Sequence, residues 1–90
     1  MKELHCKVNN GTGVTSRISA ELVAEANRAE GCDITLVLGD NTADLKSIMN
    51  MMSLVIRDGQ EFLVRIEGRD EDEVYESFAS LLQDLKLLNQ

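Results

Sequence analysis

The residues able to do chemistry are few, and most are hydroxyls. Thr15, Ser16 and Arg17 follow the loop-forming stretch Asn9-Asn10-Gly11-Thr12-Gly13. Two hydroxyls and a guanidinium at a helix start bring together unpaired backbone N–H groups, a partial positive charge and a charged fork, a setting that receives an anion. The same hydroxyls also serve as plain helix caps, and local pattern leaves both readings open. A second candidate, Ser47, follows Lys46 and opens the run Ser47-Ile48-Met49-Asn50-Met51-Met52-Ser53-Leu54. Three methionines in a short helix cannot all face a core, because successive residues step by about 100°. Ile48 and Met52 share a face, whereas Met49 lies well off the face of Met51. Either the methionines fill gaps in a core with one left exposed, or they form an adaptable apolar docking patch.

The remaining candidates point to structure. The one histidine, His5, stands between Leu4 and Cys6 in an alternating stretch. It therefore faces solvent, with no acidic or cysteine partner at metal-ligand spacing. Cys6 and Cys32 are too few for a disulfide framework and, with one imidazole, too few for zinc; they read as reduced, partly buried thiols. The acidic run Asp70-Glu71-Asp72-Glu73 precedes an amphipathic stretch and complements a helix dipole. No Ser/His/acid trio, phosphate-binding glycine loop or metal cluster emerges. The expectation is a protein that is not an enzyme, with no catalytic residue, metal or cofactor.

Ninety residues with 43% hydrophobic content are enough for one domain, residues 1–90, around one thin core. Nine basic against sixteen acidic residues give a net charge of −7, which argues against a nucleic-acid platform or an anionic membrane surface. No run approaches the roughly eighteen apolar residues of a membrane span, and the first residues carry no apolar signal segment. A cytoplasmic protein is expected.

Periodicity supplies the elements that must position these side chains. Leu4, Cys6 and Val8 alternate with polar residues as a half-buried strand. Ile18, Leu22, Ala26 and Ala29 recur at helical spacing over 17–30, with Thr15 or Ser16 as cap and Gly31 as a left-handed terminator. Ile34, Leu36 and Leu38 predict a second strand, Gly39-Asp40-Asn41 a turn, 42–45 a short third strand and 47–54 a brief helix. Phe62, Val64 and Ile66 share a face of a fourth strand after the Asp58-Gly59 turn. Asp70 and Glu73 stand at capping-box spacing before a last helix with the stripe Val74, Phe78, Leu81, Leu82, Leu85 and Leu88. The order βαββαβα, with alternating strands, fits an α+β fold in which helices stack on one side of an antiparallel sheet.

The stretch Leu45-Lys46-Ser47-Ile48-Met49 with Met52-Ser53-Leu54 resembles the regulatory-serine motif of the HPr family, the small histidine-containing phosphocarriers of the bacterial sugar phosphotransferase system. The loop Thr12-Gly13-Val14 with Arg17, and the element order, agree with it over nearly the whole chain. The resemblance implies one HPr-like domain, an open-faced βαββαβα sandwich whose four-stranded antiparallel sheet is covered on one side by three helices. It departs at the family's defining residue. Where the family reads Gly-Leu-His-Ala-Arg-Pro-Ala, this chain reads Gly13-Val14-Thr15-Ser16-Arg17-Ile18-Ser19. Thr15 thus takes the phosphohistidine position, and a phosphate monoester there is far slower to react than a P–N bond.

The family includes regulators that lack the histidine and keep the serine, and this chain is similar to them in kind. The resemblance then implies regulatory phosphorylation on Ser47 by an HPr kinase/phosphorylase-type enzyme. The phosphoprotein would act in carbon catabolite repression as corepressor of a LacI-type transcription regulator, or on another phosphotransferase-system protein. Thr15, Ser16, Arg17, Lys46, Ile48, Met49 and Met52 would form the partner-binding surface. Asn50 stands where the family commonly has glycine, which narrows or changes the partner set. Two alternatives stay open: a degenerate paralogue that competes for HPr partners, and a phosphotransferase component using another residue.

Overall fold

Alternating apolar side chains build the strands, and the helices close over the face those side chains share. The computed structural model describes residues 1–88. In chain order the elements are β1 (Lys2–Lys7), α1 (Ser16–Arg28), β2 (Cys32–Leu38), β3 (Asn41–Asp44), α2 (Ile48–Met52), β4 (Glu61–Gly68) and α3 (Glu71–Asp84). The strands form one antiparallel sheet of order β1-β4-β2-β3. Its registers set Leu4 beside Val64, Val64 beside Leu36 and Leu36 beside Ala43, an apolar row across all four strands. These residues are buried, while His5 and Arg65, one step along from Leu4 and Val64, are exposed. One face is therefore covered by the helices and the other is open, the α+β open-faced sandwich expected of the pattern.

The helices seal the covered face with residues at helical spacing. Ile18, Leu22 and Ala26 of α1 and Phe78 and Leu82 of α3 are buried. Full burial of a side chain of the size of Leu22 or Phe78 contributes about 1.5–3 kcal/mol. Of the expected stripe on α3, Phe78 and Leu82 are fully buried, whereas Val74, Leu81 and Leu85 only pack partly against the core.

Three ends differ from the periodicity reading. Gly31 does not end α1 in the left-handed conformation. The helix stops at Ala29 (φ −92°, ψ 74°), whose N–H donates to Ala26 O, and Gly31 instead leaves room for Arg69, whose Cβ would lie 3.2 Å from an added methyl. The capping box before α3 does not form. Asp70 is left-handed (φ 57°) with no side-chain cap bond, and the Glu71 carboxylate accepts from Gly68 N at 3.2 Å in its place. Lastly, α3 ends at Asp84, so Leu88 is not helical. Lys86 turns left-handed (φ 60°) and the Leu87 N–H reaches back to Leu82 O at 2.8 Å. This reversal buries Leu87 completely and lays Leu88 against Cys6 as an isolated bridge.

Candidate functional site

At the start of α1 the loop is preformed. Asn10 Oδ1 accepts from Thr12 N at 3.0 Å and Gly13 N at 2.8 Å. Gly13 is buried with φ 81°, and a Cβ there would come within 2.7 Å of Ile56 O. Only glycine allows both that conformation and the approach, which Val14 N seals by donating to Ile56 O at 2.9 Å. Thr15, not Ser16, is the cap: its Oγ1 accepts from Ile18 N at 3.3 Å. Ser16 is exposed. Arg17 is also exposed, at 77%, with Glu21 3.6 Å away one turn on, a pairing worth little at a wet surface.

At the start of α2 the bonds are denser. Ser47 N donates to Asp44 O at 2.9 Å. Ser47 Oγ accepts from Asn50 N at 3.2 Å and from the Asn50 side-chain amide at 3.1 Å. The Lys46 ammonium donates to Ala29 O at 2.7 Å, where it satisfies a carbonyl at the end of α1 and complements that helix's dipole. Lys46 is therefore half-buried and engaged, rather than a free surface cation.

The methionines divide by face. Met51 is 1% exposed and fills the core, whereas Ile48, Met49 and Met52 are 41%, 80% and 52% exposed. Helical stepping thus sends Met51 inward, as the core-filling reading has it, and leaves Ile48, Met49 and Met52 on the surface. Val55, beyond the helix and 68% exposed, extends the apolar surface. Sequence reasoning missed it, because a residue outside a periodic element carries no facing signal.

Contacts fix how the two hydroxyls stand. Lys46 O accepts from Asn27 Nδ2 at 3.0 Å in the last part of α1. Met51, Met52 and Val55 instead line an open cleft with Ser16 and Ser19 at its first turn. The α2 segment therefore runs back along α1, a helix of 13 residues, about 20 Å long. Thr15 and Ser47 lie toward its opposite ends, with the exposed apolar side chains between them. The fold brings Ser47 together with Ile48 and Met49, and Ser16 with Met52; it separates Thr15 from Ser47.

The other candidates lie elsewhere. His5 is exposed on the open face, across the sheet from both helix starts. Burial pushes the Cys6 thiol up to about 12, so it stays protonated and unreactive near neutrality. Burial raises the Cys32 thiol as well; its sulfur donates to Arg69 O at 2.8 Å. In the acidic run, the Met1 ammonium 2.9 Å away, with the Gly68 N–H, holds the Glu71 carboxyl below its usual range, and Asp72 pairs with Lys2 at 2.9 Å. Among the described residues no group of three or more His, Cys, Asp or Glu is placed to hold a metal. No helix among them is long and apolar enough to cross a membrane.

Comparison with known proteins places this geometry. A family model described as the PTS HPr component phosphorylation site matches residues 2–84. The phosphocarrier protein HPr of Lysinibacillus sphaericus is 33% identical over 87 residues, covering 97% of this chain and 98% of that protein. The HPr-like protein Crh of Bacillus subtilis is 34% identical over 84 residues, covering 93% and 98%. A solved structure of Crh, described as a catabolite repression protein, matches with a TM-score of 0.70 over 93% of both chains, at 34% identity. A mycoplasma histidine-containing phosphocarrier matches with a TM-score of 0.89 over 99% of this chain and 100% of that one, at 25% identity. Sequence and fold agree over the same residues, and the chain therefore belongs to the HPr family of the phosphotransferase system, which includes the HPr phosphocarriers and the HPr-like protein Crh.

Proposed function

We propose that this chain is a regulatory HPr-like protein of carbon catabolite control, switched by phosphorylation of Ser47 and unable to relay phosphate through a histidine. The observation that carries the reading is the setting of Ser47, a half-buried hydroxyl directly beside Ile48 and Met49, which are 41% and 80% exposed. A phosphate there adds about −1.5 to −2 charge at the edge of an apolar surface, so one partner can read both. The dipole of a helix favours an anion at its start by only about 0.3–1 kcal/mol. The fold is then nearly unchanged, and the switch acts between proteins. Ser53 suits the role less, since its hydroxyl donates to Asn50 O at 2.6 Å at the end of α2, where the dipole opposes negative charge.

A histidine relay has no residue to run on. His5 lies on the open face, and Thr15, at the start of α1, would form a slow monoester. Similarity to Crh, described as a catabolite repression protein, supports the regulatory side. The partners proposed are an HPr kinase/phosphorylase-type enzyme and a LacI-type regulator or another phosphotransferase-system protein. Because the chain already carries −7, the surface that receives it should set basic residues around an apolar pocket. The HPr relatives favour a second reading, a paralogue that occupies HPr partners without passing phosphate on.

The test incubates wild type and Ser47→Ala with ATP and a kinase proven on the serine of an authentic HPr, then maps the modified peptide by mass spectrometry. Label on the peptide carrying Ser47, lost in Ser47→Ala, is the expected result. Label unaffected by the substitution, or no label on wild type, rules the reading out. Partner binding independent of label would favour the competing paralogue.

A further inference from the structure

A serine hydroxyl has two lone pairs and one proton. At Ser47 both lone pairs are engaged by the same residue: Asn50 N donates at 3.2 Å and Asn50 Nδ2 at 3.1 Å. The first bond is the ordinary cap and would be made by any residue at position 50 with an N–H. The second belongs to the asparagine side chain alone. Its direction is fixed from the other end, because Asn50 Oδ1 accepts from Asp44 N at 3.4 Å. Flipping the amide would set its NH2 against that N–H, so the donor end stays on Ser47. Asn50 thus bridges the end of β3 to the Ser47 oxygen.

We propose that Asn50 is a positioning residue that holds the Ser47 hydroxyl in a non-nucleophilic state and so sets how fast it is phosphorylated. The proposal rests on the Ser47 reading above and names what regulates that site. In the transfer, a bond forms between Ser47 Oγ and the γ-phosphorus of a nucleoside triphosphate as the bond from that phosphorus to the bridging oxygen breaks. The nucleoside diphosphate leaves, and the hydroxyl proton passes to a base of the kinase. A lone pair of Oγ must point at phosphorus for this to occur. With two N–H donors in place neither does, and one donor must withdraw. Once a kinase covers the site and excludes water, nothing replaces the lost bond, so its breaking adds to the barrier. The backbone donor is anchored in α2, which leaves the side-chain amide as the group that gives way.

The experiment compares wild type, Asn50→Ala and Ser47→Ala with the same kinase and ATP, measuring initial rates at varied protein concentration. Asn50→Ala keeps the backbone cap bond and favours the helix, and far-ultraviolet circular dichroism checks that it is folded. The expected result is a kcat about twofold to tenfold higher for Asn50→Ala, the range that one net hydrogen bond supplies, with KM nearly unchanged. A merely structural role would move KM or the unfolding midpoint instead. Nuclear magnetic resonance gives a readout independent of any kinase. The Asn50 side-chain amide protons should shift in Ser47→Ala by more than those of Asn9, an asparagine not bonded to Ser47. Equal or slower labelling of Asn50→Ala at Ser47 overturns the lock while leaving Ser47 as the phosphosite. Unshifted amide protons overturn it as well. No label on either Ser47-bearing chain overturns the Ser47 reading and the lock together.

Discussion

The starts of α1 and α2 use the same device, a hydroxyl cap, in two different ways. Thr15 is exposed, makes one cap bond, and heads a helix of 13 residues whose buried face holds it in place. Ser47 is half-buried, receives two donors, and heads a helix of five residues anchored by Met51 alone. One cap serves a long helix; the other sits where little of the structure depends on it and where exposed apolar side chains adjoin it. A modification that changes local charge without unfolding the domain is better placed at the second.

The sharpest way to break the comparison is Gly13→Ala. It forces a side chain into φ 81° against Ile56 O and should cost about 2–4 kcal/mol, read as a lowered urea midpoint. The α1 start should loosen first, with amide exchange rising at residues 13–19 before 47–52. Uniform exchange would mean the two starts are not independent. Next in size is Met49→Asp, which puts a charge on a side chain that is 80% exposed. Stability should barely move and Ser47 labelling should persist, while the phosphorylated form should bind its partner about tenfold more weakly, the loss of one well-buried interface contact. Unchanged binding would move the docking surface elsewhere. The smallest effects are the caps themselves. Thr15→Ala should lower stability by about 1 kcal/mol. Ser47→Ala should lower it by roughly half as much, because α2 is short and water replaces the bonds of an exposed end. A larger loss at Ser47 would make it a structural cap first.

Much of this was legible from spacing alone. Alternation placed Leu4, Ile34, Leu36, Phe62, Val64 and Ile66 on the covered face because a strand has only two faces. The 3.6 period did the same for Ile18, Leu22, Ala26 and Phe78. What escaped depended on tertiary contact. That Met51 rather than Met49 enters the core is decided by which side of α2 lies on α1. Leu87 is buried because Lys86 adopts a positive φ, for which a lysine gives no signal. The capping box of Asp70 and Glu73 did not form because Asp70 is left-handed, and Glu71 instead ties the helix start to Gly68 N at the end of β4. At the candidate site, Ser47, Ile48, Met49 and Met52 could be named from sequence. The engagement of Lys46 with Ala29 could not, nor could the orientation of the Asn50 amide toward Ser47, since the first needs the end of α1 and the second Asp44 N at the end of β3.

The central claim is that this HPr-family chain takes phosphate on Ser47 and not on a relay residue. It is tested most directly by offering one protein sample two donors in parallel. One arm supplies phosphoenolpyruvate with the first enzyme of the phosphotransferase system, the other ATP with the serine kinase, and intact-mass and peptide mapping follow each. The account predicts no label from phosphoenolpyruvate and one acid-stable phosphate, on Ser47, from ATP. Acid-labile label from phosphoenolpyruvate, whether on His5 or another residue, would contradict it.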